Sequence, residues 1–270
     1  MLEGREGAGL AAARLTSVSN VVGDVRMHGL IGGARRGTSH PLVFVHGLGV
    51  SSRYLAPTMA VLAERHIVTG PDLPGFGRSA SPKHVLSFGQ LVDALAAWLD
   101  ARAIGPAVLI GNSLGCQLIV ELARREPGRV RGLVLNAPTM DPARRSMFRI
   151  IARAALDIPH EPFALAPIVI GDYLRAGPVR ILRTLRDALD DRIENKLPGI
   201  TVPVAVVCGA RDRIVSVQWC EELARLVGTA VDGSRGASFH LVPHGAHALP
   251  FEHPHTCAAF IESLVSRVSP

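Results

Sequence analysis

The chain is poor in the features that mark disulfide-bonded and membrane-spanning proteins. Only four of its 270 residues are cysteines, and they are scattered without a Cys-x-x-Cys pair, so neither a disulfide framework nor a cysteine metal site is indicated. Its apolar runs are interrupted within about ten residues, well short of the roughly 20 that a membrane-spanning helix needs. We therefore expect reduced cysteines, most of them buried, and no membrane-spanning segment.

The N-terminal segment lacks the basic start and the uninterrupted apolar stretch of a secretory signal. Glu3, Arg5 and Glu6 are followed by an alanine-rich stretch that ends at Arg14. We interpret residues 1–16 as a flexible tail, and we expect a cytoplasmic protein.

Lysine is also scarce, because 27 of the 29 basic residues are arginines. The formal net charge is +6, but the arginines are spread along the chain, and residues 139–199 carry ten basic and eight acidic residues. Nucleic-acid binding requires a concentrated basic surface with aromatic side chains or a reading motif. We therefore predict a small-molecule substrate and no nucleic-acid partner, and the sequence leaves the choice between monomer and homodimer open.

What the chain does have is a regular alternation of short apolar strands and amphipathic helices. Strands connected by helices run parallel and are covered on both faces. A hairpin at 18–31 supplies an antiparallel edge, so we predict one α/β domain with a doubly wound, mostly parallel sheet, formed by residues 17–138 and 200–270. The predicted strands are 42–45, 66–69, 107–110, 130–135, 202–208 and 238–242, and the predicted helices are 53–64, 88–99, 114–125, 216–226 and 254–268.

Residues 139–199 interrupt the alternation with helical patterns alone. A helix is predicted to start at Asp141-Pro142, which combine an N-cap with proline at the first helical position, and others cover 168–175 and 179–193. Ligands bind outside the carboxyl ends of the strands in such sheets, so we predict a helical cap over those ends. Four of its side chains are predicted to line a substrate pocket, although packing of the cap onto the core explains any one of them equally well: Met147, Phe148, Ile151 and Tyr173.

The strongest chemical signal is Gly111-Asn112-Ser113-Leu114-Gly115, which lies directly between a predicted strand and a predicted helix. A nucleophilic serine must stand clear of its own backbone on a tight turn, and the two glycines make room for that turn. The start of the helix also favours negative charge. We predict that Ser113 is the nucleophile.

A glycine-rich loop, His46-Gly47-Leu48-Gly49, follows another predicted strand. Acyl transfer develops negative charge on the carbonyl oxygen, which needs two prepositioned donors. We predict an oxyanion hole formed by the N–H groups of Leu48 and Leu114. His46 is interpreted as a residue that stabilises the loop.

The base and the acid are predicted from the turns after the last two strands. His247 lies among small residues after strand 238–242, and Asp212 directly follows strand 202–208. A buried carboxylate there would orient the imidazole and stabilise its cationic form. Asp141 is the competing acid, but its position before Pro142 suits a helix cap better. No metal or cofactor is predicted.

These residues, in the chain order Ser113, Asp212, His247, together with the segment 70–79, resemble the α/β-hydrolase superfamily over about residues 17–268. The resemblance is to the capped serine hydrolases and implies a hydrolytic acyl-enzyme mechanism. Asn112 is similar to the pattern of the meta-cleavage-product hydrolases, which cut carbon–carbon bonds, but Ala248 stands where those enzymes usually have Trp. The Asp nucleophile of haloalkane dehalogenases and epoxide hydrolases is absent.

The expected activity is therefore cleavage of a small to medium carboxylic ester by a serine carboxylesterase. A carbon–carbon hydrolase would use the same serine with a cationic anchor for the substrate carboxylate, for which Arg145 and Arg149 are candidates. An acyltransferase or perhydrolase would pass the acyl group to an acceptor other than water. A non-catalytic receptor on the same fold would bind ligand without turnover.

Overall fold

The computed structural model describes residues 15–33, 40–157, 161–229, 233 and 236–268. Its eight strands form one sheet in the order β1-β2-β4-β3-β5-β6-β7-β8. The pairs β1–β2 and β2–β4 are antiparallel and all others are parallel. The strands are β1 (Leu15–Val22), β2 (Val25–Gly32), β3 (Leu42–Val45), β4 (Val68–Pro71), β5 (Ala107–Asn112), β6 (Val130–Asn136), β7 (Val204–Gly209) and β8 (Ser238–Val242).

Helices cover both faces of this sheet. They are α1 (Ala56–Leu62), α2 (Phe88–Ala101), α3 (Leu114–Arg125), α4 (Met147–Asp157), α5 (Ala166–Ala176), α6 (Pro178–Asp190), α7 (Val217–Leu226), α8 (Leu249–Glu252) and α9 (Pro254–Val265). Side chains of α2, α3 and α7 form one apolar core, whereas those of α1, α8 and α9 form the other.

The central strands supply alternate residues to the two cores. Val43 and Val45 of β3 belong to one core, and Leu42 and Phe44 belong to the other. This follows from the two-residue period of a strand. A strand buried on both faces reads as a continuous apolar run, and the parallel sheet between two helical layers is confirmed.

The N-terminal boundary differs slightly from the prediction. Strand β1 begins at Leu15, so Leu15 and Thr16 pair with Gly32 and Ile31 and do not belong to a tail. Residues 1–14 of the predicted tail lie outside the described residues. No helix in the described part of the chain is long and apolar enough to cross a membrane.

The segment 139–199 between β6 and β7, called the helical insertion below, contains α4, α5 and α6. The long helix predicted from Asp141 is wrong in one respect, because a short 3₁₀ turn (Pro142–Arg144) is followed by a break before α4 starts at Met147. At the break, Arg145 has a non-helical ψ of 77°. Its guanidinium turns back to the Met140 carbonyl oxygen and to Glu194, and these contacts compete with helix continuation.

Candidate active site

Ser113 occupies the sharp turn from β5 to α3. Its φ of 57° and ψ of −120° are rarely adopted by a residue with a side chain. The turn leaves no room beside it. A Cβ at Gly111 would lie 2.6 Å from the Cys116 amide nitrogen, and one at Gly115 would lie 2.2 Å from the Val45 carbonyl oxygen. The two glycines thus permit the strained geometry that a nucleophilic serine requires.

The glycine-rich loop after β3 lies against this serine. A Cβ at Gly47 would lie 3.1 Å from the Cβ of Ser113 and 3.6 Å from its Oγ. The N–H groups of Leu48 and Leu114 donate to no other group within the described residues. Both N–H groups are therefore available to a ligand.

His46 holds the loop in place. Its Nδ1 lies 2.7 Å from the Gly47 carbonyl oxygen, and its Nε2 accepts the Leu73 N–H at 2.9 Å. This pattern requires the neutral tautomer with a proton on Nδ1, and burial of the ring lowers the pKa of His46 accordingly. Both ring nitrogens of His46 are therefore engaged with backbone groups, and the side chain stabilises the loop.

His247 and Asp212 form a buried pair. The His247 Nδ1 lies 2.8 Å from Asp212 Oδ2, and the Asp212 side chain is fully buried. The second carboxylate oxygen accepts the N–H groups of Ile214 and Val215 at 2.8 and 2.9 Å. Three hydrogen bonds hold the carboxylate, and the carboxylate in turn fixes the orientation of the ring.

The charge environment favours the imidazolium form of His247. Burial lowers its pKa, but the charge of Asp212, its hydrogen bond, and the charges of Glu161 and Asp157 outweigh the burial and raise the pKa to about 9. A carboxylate beside a histidine has this effect because it stabilises the cationic form. His247 is therefore largely protonated at neutral pH in the free protein.

The structure brings these residues together as two halves. Ser113 lies with the loop that carries Leu48, and His247 lies with Asp212, whereas no hydrogen bond joins the Ser113 Oγ to His247 among the described residues. Catalytic hydrogen bonds are often long in unliganded enzymes and tighten when substrate binds. The link between the two halves, and with it the catalytic role of each residue, stays a prediction.

Asp141, the alternative acid, is engaged elsewhere. Its Oδ1 accepts the Ala143 N–H at 2.9 Å, and its Oδ2 accepts the Ser216 hydroxyl at 2.7 Å. It caps a turn and connects the helical insertion to the start of α7.

The sequence did not reveal the acidic side chains that lie near His247. Burial raises the pKa of Glu161 to about 8; the positive charge of His247 opposes this shift, and Asp157 and Glu252 add to it. The Asp157 carboxylate is also buried and accepts the N–H of Arg213, the residue after Asp212. These acids belong to no motif, and their sequence separation hides their proximity.

Helix α5 of the insertion rests on the loop that carries Leu48. Asp172, which is fully buried, accepts the Ser51 hydroxyl and an Arg53 guanidinium N–H, both at 2.5 Å. Beside it, the Tyr173 ring lies so close to Gly49 that a Cβ there would approach a ring carbon to 2.6 Å. The insertion therefore contacts the carboxyl edge of the sheet next to Ser113.

The four predicted pocket residues are in different settings. Tyr173 lies over the loop, as described, and Met147 packs partly buried against the core. Phe148 and Ile151 are 79% and 48% exposed. Phe148 lines an open groove of about 360 Å³ that also contains Arg213 but neither Ser113 nor His247. Contact of any of the four with substrate stays a prediction.

The cysteines and the acids do not form a metal site in the part of the chain that the structure describes. All four cysteines are buried, and none of them forms a disulfide with another. No cluster of three or more histidine, cysteine, aspartate or glutamate side chains is suited to a metal ion among these residues.

The fold and the strained serine between β5 and α3 define a protein of the α/β-hydrolase class. Comparison with known proteins agrees, because the model of the "Alpha/beta hydrolase family" matches residues 42–260. The chain belongs to this family.

Individual relatives differ in the length over which they match. A pimeloyl-[acyl-carrier protein] methyl ester esterase of Stenotrophomonas maltophilia (strain R551-3) is 27% identical over 87% of this chain and 96% of its own. A 2-hydroxymuconate semialdehyde hydrolase of Pseudomonas sp. (strain CF600) is 39% identical, but over only 37% of this chain and 36% of that enzyme. The abhydrolase domain-containing protein abhd-5.2 of Caenorhabditis elegans is 32% identical over 38% of this chain, and the match covers only 25% of that protein. Among solved structures, a membrane phospholipase A has a TM-score of 0.78 and 25% identity, covering 97% of this chain and 88% of that one.

Proposed function

We propose that this hydrolase cleaves small to medium carboxylic esters through an acyl-enzyme on Ser113. The observation that carries the proposal is the strained turn that presents Ser113 against the loop bearing Leu48, while the N–H groups of Leu48 and Leu114 have no other acceptor among the described residues. Such an arrangement is suited to a tetrahedral oxyanion.

In the first half of the reaction, the Ser113 Oγ attacks the ester carbonyl carbon as neutral His247 accepts the hydroxyl proton at Nε2. The N–H groups of Leu48 and Leu114 stabilise the oxyanion, and Asp212 stabilises the imidazolium through Nδ1. The imidazolium then protonates the departing alkoxide, which leaves as an alcohol.

In the second half, His247 removes a proton from water, which attacks the acyl carbonyl carbon. Collapse of the second tetrahedral intermediate breaks the bond to Ser113 Oγ, and the imidazolium returns the proton to this oxygen. The products are a carboxylic acid and the free enzyme. No step requires a metal or a redox cofactor.

Ester cleavage is favoured over the alternatives by two facts. A relative that matches along nearly its whole length, the pimeloyl-[acyl-carrier protein] methyl ester esterase, is named as an ester hydrolase. Cleavage of a carbon–carbon bond in a vinylogous diketone acid would need a free cation for the substrate carboxylate. Arg145 is already hydrogen-bonded to both oxygens of Glu194, at 2.9 Å each, and is almost fully buried. Arg149, the other candidate anchor, lines the groove beside Phe148 that contains neither Ser113 nor His247.

Fluorophosphonate labelling and hydrolysis of p-nitrophenyl acetate and butyrate test the proposal. The wild-type chain should be labelled on Ser113 and should turn over at least one ester, and Ser113→Ala should lower kcat by about 10⁶. Ser263→Ala, at an exposed position in α9, is the matched control and should behave as the wild type.

Four results would contradict the proposal. Absence of labelling and of turnover would favour a ligand-binding receptor, and retention of activity in Ser113→Ala would show a different nucleophile. Turnover of diketone acids without ester hydrolysis would favour the carbon–carbon hydrolase. An added alcohol or peroxide acceptor that captures most of the acyl group in preference to water would indicate a transferase or perhydrolase.

A further inference from the structure

Exposed apolar side chains are concentrated in the helical insertion. Nine of the eleven large hydrophobic residues exposed in the described part of the chain lie between residues 148 and 182. Phe163 is 97% exposed, Leu174 78% and Ile170 60%. An apolar concentration of this kind on a folded protein marks a contact surface.

The exposed charges of the same segment are nearly all positive. Between residues 147 and 190, four arginines are exposed and only one carboxylate, Asp190, is exposed. None of the four pairs with a carboxylate among the described residues, while Asp157 and Asp172 are buried. The four arginines are Arg149, Arg175, Arg183 and Arg186.

These side chains share one structural unit, because α6 contacts both α4 and α5. We propose that the helical insertion is a docking surface for an anionic lipid bilayer, in which Phe163 and Leu174 enter the headgroup region and the exposed arginines contact lipid phosphates. Surface helices that combine apolar side chains with cations bind bilayers in this way without spanning them.

Charge complementarity favours this partner over a second copy of the chain. A symmetric dimer through this surface would place the unpaired arginines of one copy against those of the other, and like charges oppose such an interface. An anionic bilayer accepts both the cations and the apolar side chains.

Docking would also place the lipid surface beside the candidate active site. Leu174 and Arg175 directly follow Asp172 and Tyr173, which contact the loop around Gly49 and Ser51. Esters that partition into a bilayer would therefore be presented close to Ser113. The docking itself is independent of the proposed esterase activity.

Co-sedimentation with sucrose-loaded vesicles tests the inference, and the Ser113→Ala chain is used so that lipid cleavage cannot interfere. The chain should bind vesicles of equimolar phosphatidylcholine and phosphatidylglycerol, should bind pure phosphatidylcholine much more weakly, and should be released by added salt. The double substitution Phe163→Ser, Leu174→Ser should lower the partition coefficient by about tenfold or more. Arg183→Gln with Arg186→Gln should lower it by about tenfold on the anionic vesicles alone.

Val21→Ser and Arg225→Gln are matched controls, because both residues are exposed but lie outside the insertion. They should leave binding unchanged, and circular dichroism should show that every variant is folded. No binding to anionic vesicles, or binding unaffected by the insertion variants, would overturn the inference. So would a dimer in size-exclusion chromatography that Phe163→Ser, Leu174→Ser converts to a monomer, because this surface would then belong to a second copy.

Discussion

Replacement of Glu161 by glutamine should move the midpoint of the pH profile of activity to lower pH. His247 accepts a proton only when its ring is neutral, and its pKa of about 9 in the free protein leaves a small neutral fraction at pH 7. The activity of the wild type should therefore rise with pH and reach half of its maximum near pH 9. The pKa of Glu161 is about 8, so near pH 9 this side chain is ionised and is among the groups that hold the pKa of His247 high. Glutamine removes the charge with little change in shape.

The size of the effect follows from the order of the contributions. Asp212 contributes most to the rise of the His247 pKa and Glu161 contributes less. We expect Glu161→Gln to lower the midpoint of the pH profile by about 0.5–1 unit, which corresponds to roughly 0.7–1.4 kcal/mol. Because the pKa of Glu161 is about 8, the difference should be largest between about pH 8 and pH 9, where Glu161 is ionised, and kcat/KM at pH 7 should change little.

The assay is kcat/KM for p-nitrophenyl butyrate between pH 6 and about pH 10, because this parameter reports the pKa of the free enzyme. Glu222→Gln, at an exposed position in α7, is the control and should leave the profile unchanged. A loss of activity without movement of the midpoint would mean that Glu161 has a structural role only. A midpoint that moves upward would refute the electrostatic reasoning.

Four other substitutions have distinct expected outcomes. Asp212→Asn should lower kcat by about 10⁴. Asp141→Asn should change kcat less than a few-fold and leave stability nearly unchanged, because asparagine caps a helical turn as well as aspartate does; the reverse result in ester hydrolysis would reassign the acid. Gly115→Ala should lower the free energy of unfolding by about 1–3 kcal/mol, because the new Cβ would clash with the Val45 carbonyl oxygen. Urea denaturation measures this change, and a variant as stable as the wild type would contradict the packing argument. Asp172→Asn should destabilise the insertion and raise KM for p-nitrophenyl butyrate, and an unchanged KM would show that this contact does not shape the site.

The parts of the fold that the sequence predicted well depend on local signals. Helix α3 begins and ends as predicted, at Leu114 and Arg125, because the glycine-flanked turn before it and Pro127 after it limit its length. The central strands were recognisable as continuous apolar runs, since both of their faces are buried. The predicted acid and base are in contact because both follow neighbouring parallel strands, whose carboxyl ends meet at one edge.

The parts that could not be predicted depend on long-range contacts. The break before α4 arises from hydrogen bonds of Arg145 to residues on both sides of it, one of them 49 positions away. The acids that raise the pKa of His247 lie in segments far apart in the chain. Likewise, helical periodicity identified Phe148 as apolar but could not show whether it faces a pocket or solvent.

The two strands that flank the helical insertion are direct neighbours in the sheet, with Asn136 opposite Val207. The segment therefore leaves and re-enters the scaffold at adjacent points, and its length adds little to the entropic cost of closing the loop. Insertions, deletions and substitutions there can reshape the surface next to Ser113 without any change of strand register. Selection can therefore act on this segment while the strands that position Ser113, Asp212 and His247 stay intact.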